Sequence, residues 1–314
     1  MISTHRITEK HNTYNRSRVN GSMAKPILKW AGGKQQLLDE IRSFIPESFD
    51  QYHEPFFGGG AVFFDLEPEN GTINDRNERL VNFYEQVRDN PETLISRLNS
   101  FDHPESDPDP SLDYSDVSET GKSITEYYYQ QRARFNKRPY TDTFDPVEEA
   151  ALLLYLNRTC YNGLYRENQS GGFNSPIGSY DDPSWTFPDR LREVSATLQD
   201  ITICNQDFEY VGEYATADDL VYMDPPYKPE SETASFTEYD QDGFGEDDQM
   251  RLLNFVAELA ERGTTVIVSN SGIMKPRYEE LDAFTVHTVS ASRSINSDGD
   301  NRGDVQEILA VANV

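Results

Sequence analysis

Leu220-Val221-Tyr222-Met223-Asp224-Pro225-Pro226-Tyr227 is the stretch from which the fold is read. Leu220–Met223 is a short apolar run bounded by turn residues, the signature of a buried strand. The Asp-Pro-Pro-Tyr turn follows it without a spacer. In an open α/β sheet, ligands bind beyond the carboxyl ends of the strands, so a site is expected at this turn.

Strand signals also appear at residues 52–57, 71–75, 201–204, 264–269, 284–289 and 308–311. Helical periodicity marks 36–45, where Leu37, Leu38, Ile41 and Phe44 share a face ahead of Pro46. Further helices are predicted from 61, over 78–98, 124–135, 146–156 and 248–262. Strands alternating with helices predict an α/β fold with a parallel sheet. The helical, loop-rich middle reads as an insertion into it. Residues 102–121, rich in Asp, Pro and Ser, read as a surface loop, and 161–180 as a hairpin or ordered loop.

Composition narrows the classes. The chain has 314 residues, 55 Asp and Glu against 28 Lys and Arg, and a formal net charge of −27. No apolar run approaches the roughly 18 residues of a membrane span. Residues 1–24 are polar, lack the core of a signal peptide, and are expected to form a disordered leader. Cys160 and Cys204 have no metal-ligand spacing and are too few for a disulfide framework, so a reducing cytoplasm is expected. The acidity conflicts with a polyanionic partner, whose affinity comes from phosphate neutralisation. Either the partner is of a different kind, or a salt-rich, halophilic cytoplasm resolves the conflict, because the Debye length falls to about 3 Å at 1 M salt; a chain that is simply acidic is the plain alternative. The acidic clusters at 102–116 and 238–248 read as loops, while the candidate site regions stay basic.

Four groups of residues carry chemistry. At the Asp-Pro-Pro-Tyr turn, Asp224 offers a carboxylate to an amino group, Pro225 and Pro226 fix the backbone so that a carbonyl faces the same group, and Tyr227 gives a stacking face. The alternative is a Pro-rich turn that merely caps a strand. Phe56-Phe57-Gly58-Gly59-Gly60 ends a strand in consecutive glycines, which lets backbone approach a cofactor at a helix amino terminus. It fails as a dinucleotide fingerprint, since Phe63 stands where the third Gly belongs. Asp75, ending the next strand, suits ribose hydroxyls; the alternative is a helix cap before Glu78. Lys29-Trp30-Ala31-Gly32-Gly33-Lys34 is not a phosphate loop, because Leu28 and Gln35 replace the required Gly and Ser or Thr. Its Gly-Gly turn, flanked by Trp30 and Lys34, suits one end of a cofactor. Finally, Arg132, Arg134, Lys137, Arg138, Arg158, Tyr161, Asn162 and Arg166 form a basic, aromatic group able to read bases. Pairing with Glu148, Glu149 and Glu167 is the competing explanation.

Taken in order, these motifs resemble the Dam-type family of adenine-specific DNA methyltransferases. The likeness extends through Glu54-Pro55-Phe56-Phe57-Gly58-Gly59-Gly60, Ile73-Asn74-Asp75, Tyr155-Leu156-Asn157-Arg158, Tyr161-Asn162-Gly163-Leu164-Tyr165-Arg166, Gly172-Phe173-Asn174, Thr233-Ala234-Ser235-Phe236-Thr237 and Arg293-Ser294-Ile295. It implies a seven-stranded Rossmann-like methyltransferase sheet with an inserted helical target-recognition domain, S-adenosylmethionine as cofactor and double-stranded DNA as partner. It divides the chain into a cofactor-binding catalytic domain at 25–83 and 191–314 and a target-recognition domain at 84–190. It carries cofactor binding onto Trp30, Lys34, Asp75 and Asp224, with Phe56, Gly58 and Gly60 of the glycine loop beside them. Arg134, Lys137 and Arg158 would touch DNA with the reading hairpin of Tyr161, Asn162, Leu164 and Arg166, Tyr161 as wedge and Arg166 on a guanine. Many such enzymes methylate GATC. Ser175-Pro176-Ile177-Gly178-Ser179 departs from the family's more common Val-Pro-Phe-Gly and following basic residue, which bears on that target.

The implied chemistry is direct in-line displacement, with no metal and no covalent enzyme intermediate, under a flap at 228–245. Cytosine-amino methyltransferases more often carry Ser in place of Asp224, and enzymes acting on RNA or protein usually carry Asn. A DNA-binding module with a dead cofactor site is the non-enzymatic alternative. A partner restriction endonuclease and the oligomeric state are left open by the sequence.

Overall fold

A computed structural model describes residues 12–13, 24–30, 32–101, 123–137, 144–168, 170–180, 182–227, 244–292 and 304–314. Seven strands form one sheet: β1 Tyr52–Glu54, β2 Gly71–Asn74, β3 Ile201–Cys204, β4 Leu220–Met223, β5 Thr265–Ser271, β6 Thr285–Ser292 and β7 Asp304–Ala312. Their spatial order is β3-β2-β1-β4-β5-β7-β6. β1 to β5 run parallel, and β7 is antiparallel to both β5 and β6. Chain order reverses between β1 and β4, which makes their carboxyl ends the topological switch point where ligands of such sheets bind. The seven-stranded Rossmann-like sheet implied by the resemblance is therefore present.

The helices are α1 Leu38–Arg42, α2 Ala61–Leu66, α3 Glu78–Asp89, α4 Pro91–Asn99, α5 Ser123–Lys137, α6 Pro146–Thr159, α7 Pro188–Thr197, α8 Val211–Tyr214, α9 Glu246–Glu261 and α10 Lys275–Tyr278. Side-chain alternation along β4 sorts two cores. Leu220 and Tyr222 join a cluster that includes the α3 and α6 side chains, whereas Val221 and Met223 join one built on Leu252, Phe255 and Val256 of α9. α6 is apolar nearly all round, with residues 150–156 all buried, so it is a central helix of the inserted layer. Asp145 caps it by accepting from the backbone N–H groups of Val147 and Glu148.

Several elements differ from the sequence reading. The helix expected over 78–98 breaks at Asn90, and Pro91, which has no N–H to give, opens α4. The strand expected over 52–57 stops at Glu54, because Pro55 cannot donate to a ladder and Gly58 and Gly60 turn to φ 49° and 67°. The helix expected over 36–45 is a 3₁₀ turn at Lys34–Gln36 followed by the shorter α1. α7 was not anticipated. The last two strands are longer than predicted because they pair with one another out to Ser292↔Asp304. The acidic run expected as loop at 238–248 ends inside α9, whose first turn holds Glu246, Asp247 and Asp248 against the helix dipole.

In the leader, Asn12–Thr13 pair with Ser48–Phe49; its other residues up to 23 lie outside the described residues. So do the loop at 102–121, Arg138, the motifs at 233–237 and 293–295, and all but Phe244 and Gly245 of the expected flap. Positions 84 and 190, expected as domain limits, fall within α3 and α7, and one apolar cluster runs from Tyr52, Ile73 and Leu220 to Leu152 and Leu156. Cys160 and Cys204 are free and buried. Burial pushes the Cys160 thiol up to about 12. Among the described residues, no helix is long and apolar enough to cross a membrane.

Candidate active site

Asp224 leaves the end of β4 into a site assembled from distant segments. Lys34, on the turn after Gly32-Gly33, reaches Asp224 Oδ1 with its Nζ at 2.9 Å. The same Nζ donates to the Gly32 carbonyl at 2.9 Å, lies 3.7 Å from Glu307 Oε2 and sits 4.7 Å above the Tyr227 ring centroid. Tyr227 donates its hydroxyl to Glu307 Oε2 at 2.6 Å. Lys34 is 5% exposed and the Asp224 side chain 21%, so one ammonium faces two carboxylates largely away from water. Burial pushes the Asp224 carboxyl up to about 6; Lys34 opposes that shift, and Glu307 adds to it.

β7 delivers Glu307 to this place. Because β7 runs against β5, the early part of β7 lies beside the carboxyl end of β5, with Ser271 opposite Glu307. The sequence reading missed Glu307. Its signal was an acid immediately before the apolar run 308–311.

The glycine loop after β1 is held from below. Asp75 accepts from the backbone N–H of Gly58 through Oδ2 and from that of Asn77 through Oδ1, both at 2.9 Å. Capping of α3 is done by Asn77, which accepts from the N–H groups of Arg79 and Leu80. Asn74 donates to the carbonyls of Pro55 and Gln206 and accepts from the Gln206 N–H, which ties together the loops that follow β1, β2 and β3. Trp30 lies on the loop: a Cβ at Gly58 would come within 2.8 Å of its Cδ1. It also stacks on Tyr165, with ring centroids 5.5 Å apart. Phe56 stacks on Phe208 at 5.5 Å and meets Phe244 edge-on at 5.6 Å, giving an aromatic wall beside the loop. Neither Phe208 nor Phe244 was singled out from sequence. Beneath the loop, Glu54 is buried and accepts from the Tyr52 hydroxyl at 2.7 Å; burial holds its carboxyl well above the usual range.

The candidate reading residues lie on the turn that follows α6, beside the Trp30 segment. Tyr161 is 45% exposed, Asn162 is exposed at φ 54°, and Leu164 and Arg166 are half-buried. Arg166 donates through Nε to Asn174 Oδ1 at 2.6 Å. Ser175, where the departure from the family begins, is buried and donates its hydroxyl to the Leu164 carbonyl. Asn157 joins this hairpin to the Trp30 segment: it accepts from the Lys29 N–H at 2.8 Å and donates to the carbonyls of Lys29 and Gly163 at 2.7 and 3.0 Å. Arg134 forms an ion pair with buried Glu148, which Arg97 also reaches. Arg158 lies over the Phe187 ring at 4.6 Å, Arg132 over Tyr129 at 4.7 Å, and Lys137 is exposed at the end of α5.

The donor set suits a nucleoside carrying a charged amino-acid tail. It combines an aromatic wall, an acid at the end of β2, a side-chain-free loop, and a lysine between carboxylates. Comparison with known proteins agrees. The model of the D12 class N6 adenine-specific DNA methyltransferases matches residues 30–295. The chain is 41% identical to the type II methyltransferase M.MjaIII of Methanocaldococcus jannaschii, over 91% of this chain and 98% of that one. It is 36% identical to the type II methyltransferase M1.LlaDCHI of Lactococcus lactis subsp. cremoris, over 95% and 98%. With the DNA adenine methylase of Escherichia coli it shares 34% identity over 91% and 95%. The chain belongs to the D12 class of N6 adenine-specific DNA methyltransferases, which methylate adenine in DNA with S-adenosylmethionine as donor.

Proposed function

We propose that Asp224-Pro225-Pro226-Tyr227 is the catalytic turn, acting on an adenine extruded from duplex DNA, and that GATC is the target sequence. The convergence of Lys34, Tyr227 and Glu307 on Asp224 at the switch point carries the reading. S-adenosylmethionine supplies an electrophilic methyl group on a sulfonium. In this reading Asp75 takes the ribose hydroxyls, Phe56 with Phe208 and Phe244 borders the adenine of the donor, Gly58 and Gly60 admit it without side chains, and Trp30 and Lys34 close the methionine end.

The adenine amino nitrogen is a poor nucleophile because its lone pair is delocalised into the ring. Asp224 accepts one of its N–H bonds and the Pro225 carbonyl the other, which returns density to nitrogen along the line of attack. No described group donates to the Pro225 carbonyl, so it is available for this task. Tyr227 provides the face against which the extruded base rests. The N–C bond would form as the methyl–sulfonium bond breaks to leave a neutral thioether; Asp224 stabilises the positive charge that develops on nitrogen, and one amino proton then passes to solvent. Asp224 must therefore be ionised, so activity is present above its carboxyl pKa of about 6 and lost as pH falls through it.

The hairpin at 161–180 is assigned to base reading, with Tyr161 as wedge and Arg166 on guanine, and Arg134, Lys137 and Arg158 to DNA contact around it. Residues 84–190 then act as the target-recognition unit and 25–83 with 191–314 as the catalytic one. The type II names of two relatives make a cognate restriction endonuclease a candidate partner.

Asp224→Ala tests the chemistry. Methylation of plasmid DNA at high salt and saturating donor should fall by at least about a hundredfold while the fold persists; near-parental activity rejects the role of the turn. Sequencing the modified adenines tests GATC, and modification confined to other sites rejects it while leaving the chemistry intact.

A further inference from the structure

A buried amide pair lies beneath the turn, and the chemistry above does not use it. Gln249, in the first turns of α9, is 1% exposed and donates through Nε2 to the Pro226 carbonyl at 2.9 Å. Its Oε1 accepts from Nδ2 of Asn270, a fully buried residue of β5, at 3.0 Å. Asn270 in turn accepts from the backbone N–H of Ser271 at 2.8 Å.

The rest of the buried face of α9 is mainly apolar, with Leu252, Leu253 and Val256. A buried primary amide among such residues is costly unless both its ends are matched, and here both are. The reason for an amide lies in the turn itself. Pro225 and Pro226 have no N–H groups, so neither can donate the backbone bond that normally fixes a turn. Carbonyls are the only main-chain handles these two residues possess. Gln249 holds one of them, and the other is left for the substrate.

We propose that Gln249, oriented by Asn270, is a positioning residue that sets the aim of the Pro225 carbonyl and Asp224 at the target amino group. The inference rests on the reading of Asp224–Tyr227 as the catalytic turn.

Two full-length variants test it, assayed by single-turnover methylation of a duplex oligonucleotide alongside calorimetric titration with S-adenosylmethionine. Gln249→Met removes the donor at similar volume. Its transfer rate is expected to fall about ten- to a hundredfold, the scale of a small misalignment of reacting groups, with donor affinity and the KM for DNA within about threefold of the parent. Gln249→Glu keeps the volume and the acceptor for Asn270, but donates to Pro226 only when protonated. Its rate relative to the parent should rise at least about threefold from pH ~9 to pH ~6.5. A purely structural amide gives no such pH dependence in that ratio.

A Gln249→Met rate within about threefold of the parent overturns the proposal, as does a rate loss matched by an equal loss of donor affinity. If Gln249→Met does not fold, a Gln249→Glu ratio flat with pH overturns it. Asp224→Ala, run beside them, separates the two claims. Activity in that variant defeats the reading of the turn, whereas an inactive Asp224→Ala with a normal Gln249→Met defeats only the role of Gln249.

Discussion

Lys34→Met removes the ammonium that lies 2.9 Å from Asp224 Oδ1. Two unit charges at that separation attract by about 1.4 kcal/mol in bulk water and about 6 kcal/mol at an effective dielectric of ~20. The Asp224 side chain is 21% exposed, so the water value is a floor. About 1.4 kcal/mol corresponds to one pKa unit. Without the ammonium, the Tyr227 hydroxyl is left to oppose burial and Glu307, both of which raise a carboxyl already held at about 6. In the proposed mechanism transfer needs the ionised form, so the acid limb of the rate–pH profile should move upward, by at least about one pH unit. The assay is single-turnover methylation from pH ~5 to ~9 with saturating donor, so that any loss of donor affinity does not limit the rate. An acid limb that stays in place, or moves downward, refutes the electrostatic account of this site.

Glu307→Gln works in the opposite sense. It keeps an acceptor for the Tyr227 hydroxyl but removes a charge that raises Asp224, so the same assay should show the acid limb moving to lower pH. Gly58→Ala forces a side chain onto φ 49° and to within 2.8 Å of Trp30 Cδ1. A loss of about 1–2 kcal/mol in denaturant unfolding is expected, together with weaker donor binding by calorimetry. Asn157→Ala leaves the Lys29 N–H and the Lys29 and Gly163 carbonyls without their side-chain partner. It should cost about 2–4 kcal/mol in urea unfolding and weaken duplex binding in a mobility-shift assay. Given a net charge of −27, methylation should hold or rise between about 0.1 and 2 M KCl, where an enzyme relying on bulk charge for DNA affinity loses it.

The sheet was legible wherever a strand is apolar and directly followed by a punctuating residue. Leu220–Met223 before Asp224 and Ile201–Cys204 before Asn205 were read with their true limits. Legibility declined where tertiary pairing sets the length, as in β6 and β7, whose outer halves are polar and are held by each other. A single helix over 78–98 was a misreading of local evidence, since Pro91 was present to break it. Asp224, Tyr227, Lys34, Asp75 and the glycine loop lie in recognisable motifs, so sequence alone could single them out. Glu307, Gln249, Asn270, Phe208 and Phe244 were not singled out, because each is lone in its segment and acquires meaning only from a partner distant in sequence. In the basic middle, Arg134 pairs with Glu148, as the competing explanation expects, while its side chain stays 41% exposed.

With the donor placed as proposed, the corner formed by Asp224, Lys34 and Glu307 bears on turnover. One ammonium against two carboxylates biases that corner of the cleft toward negative charge. The incoming donor is cationic at sulfur, and the thioether left after transfer is not. On the donor placement proposed above, transfer would cancel the charge that these carboxylates attract, so the same groups should favour the sulfonium over the thioether.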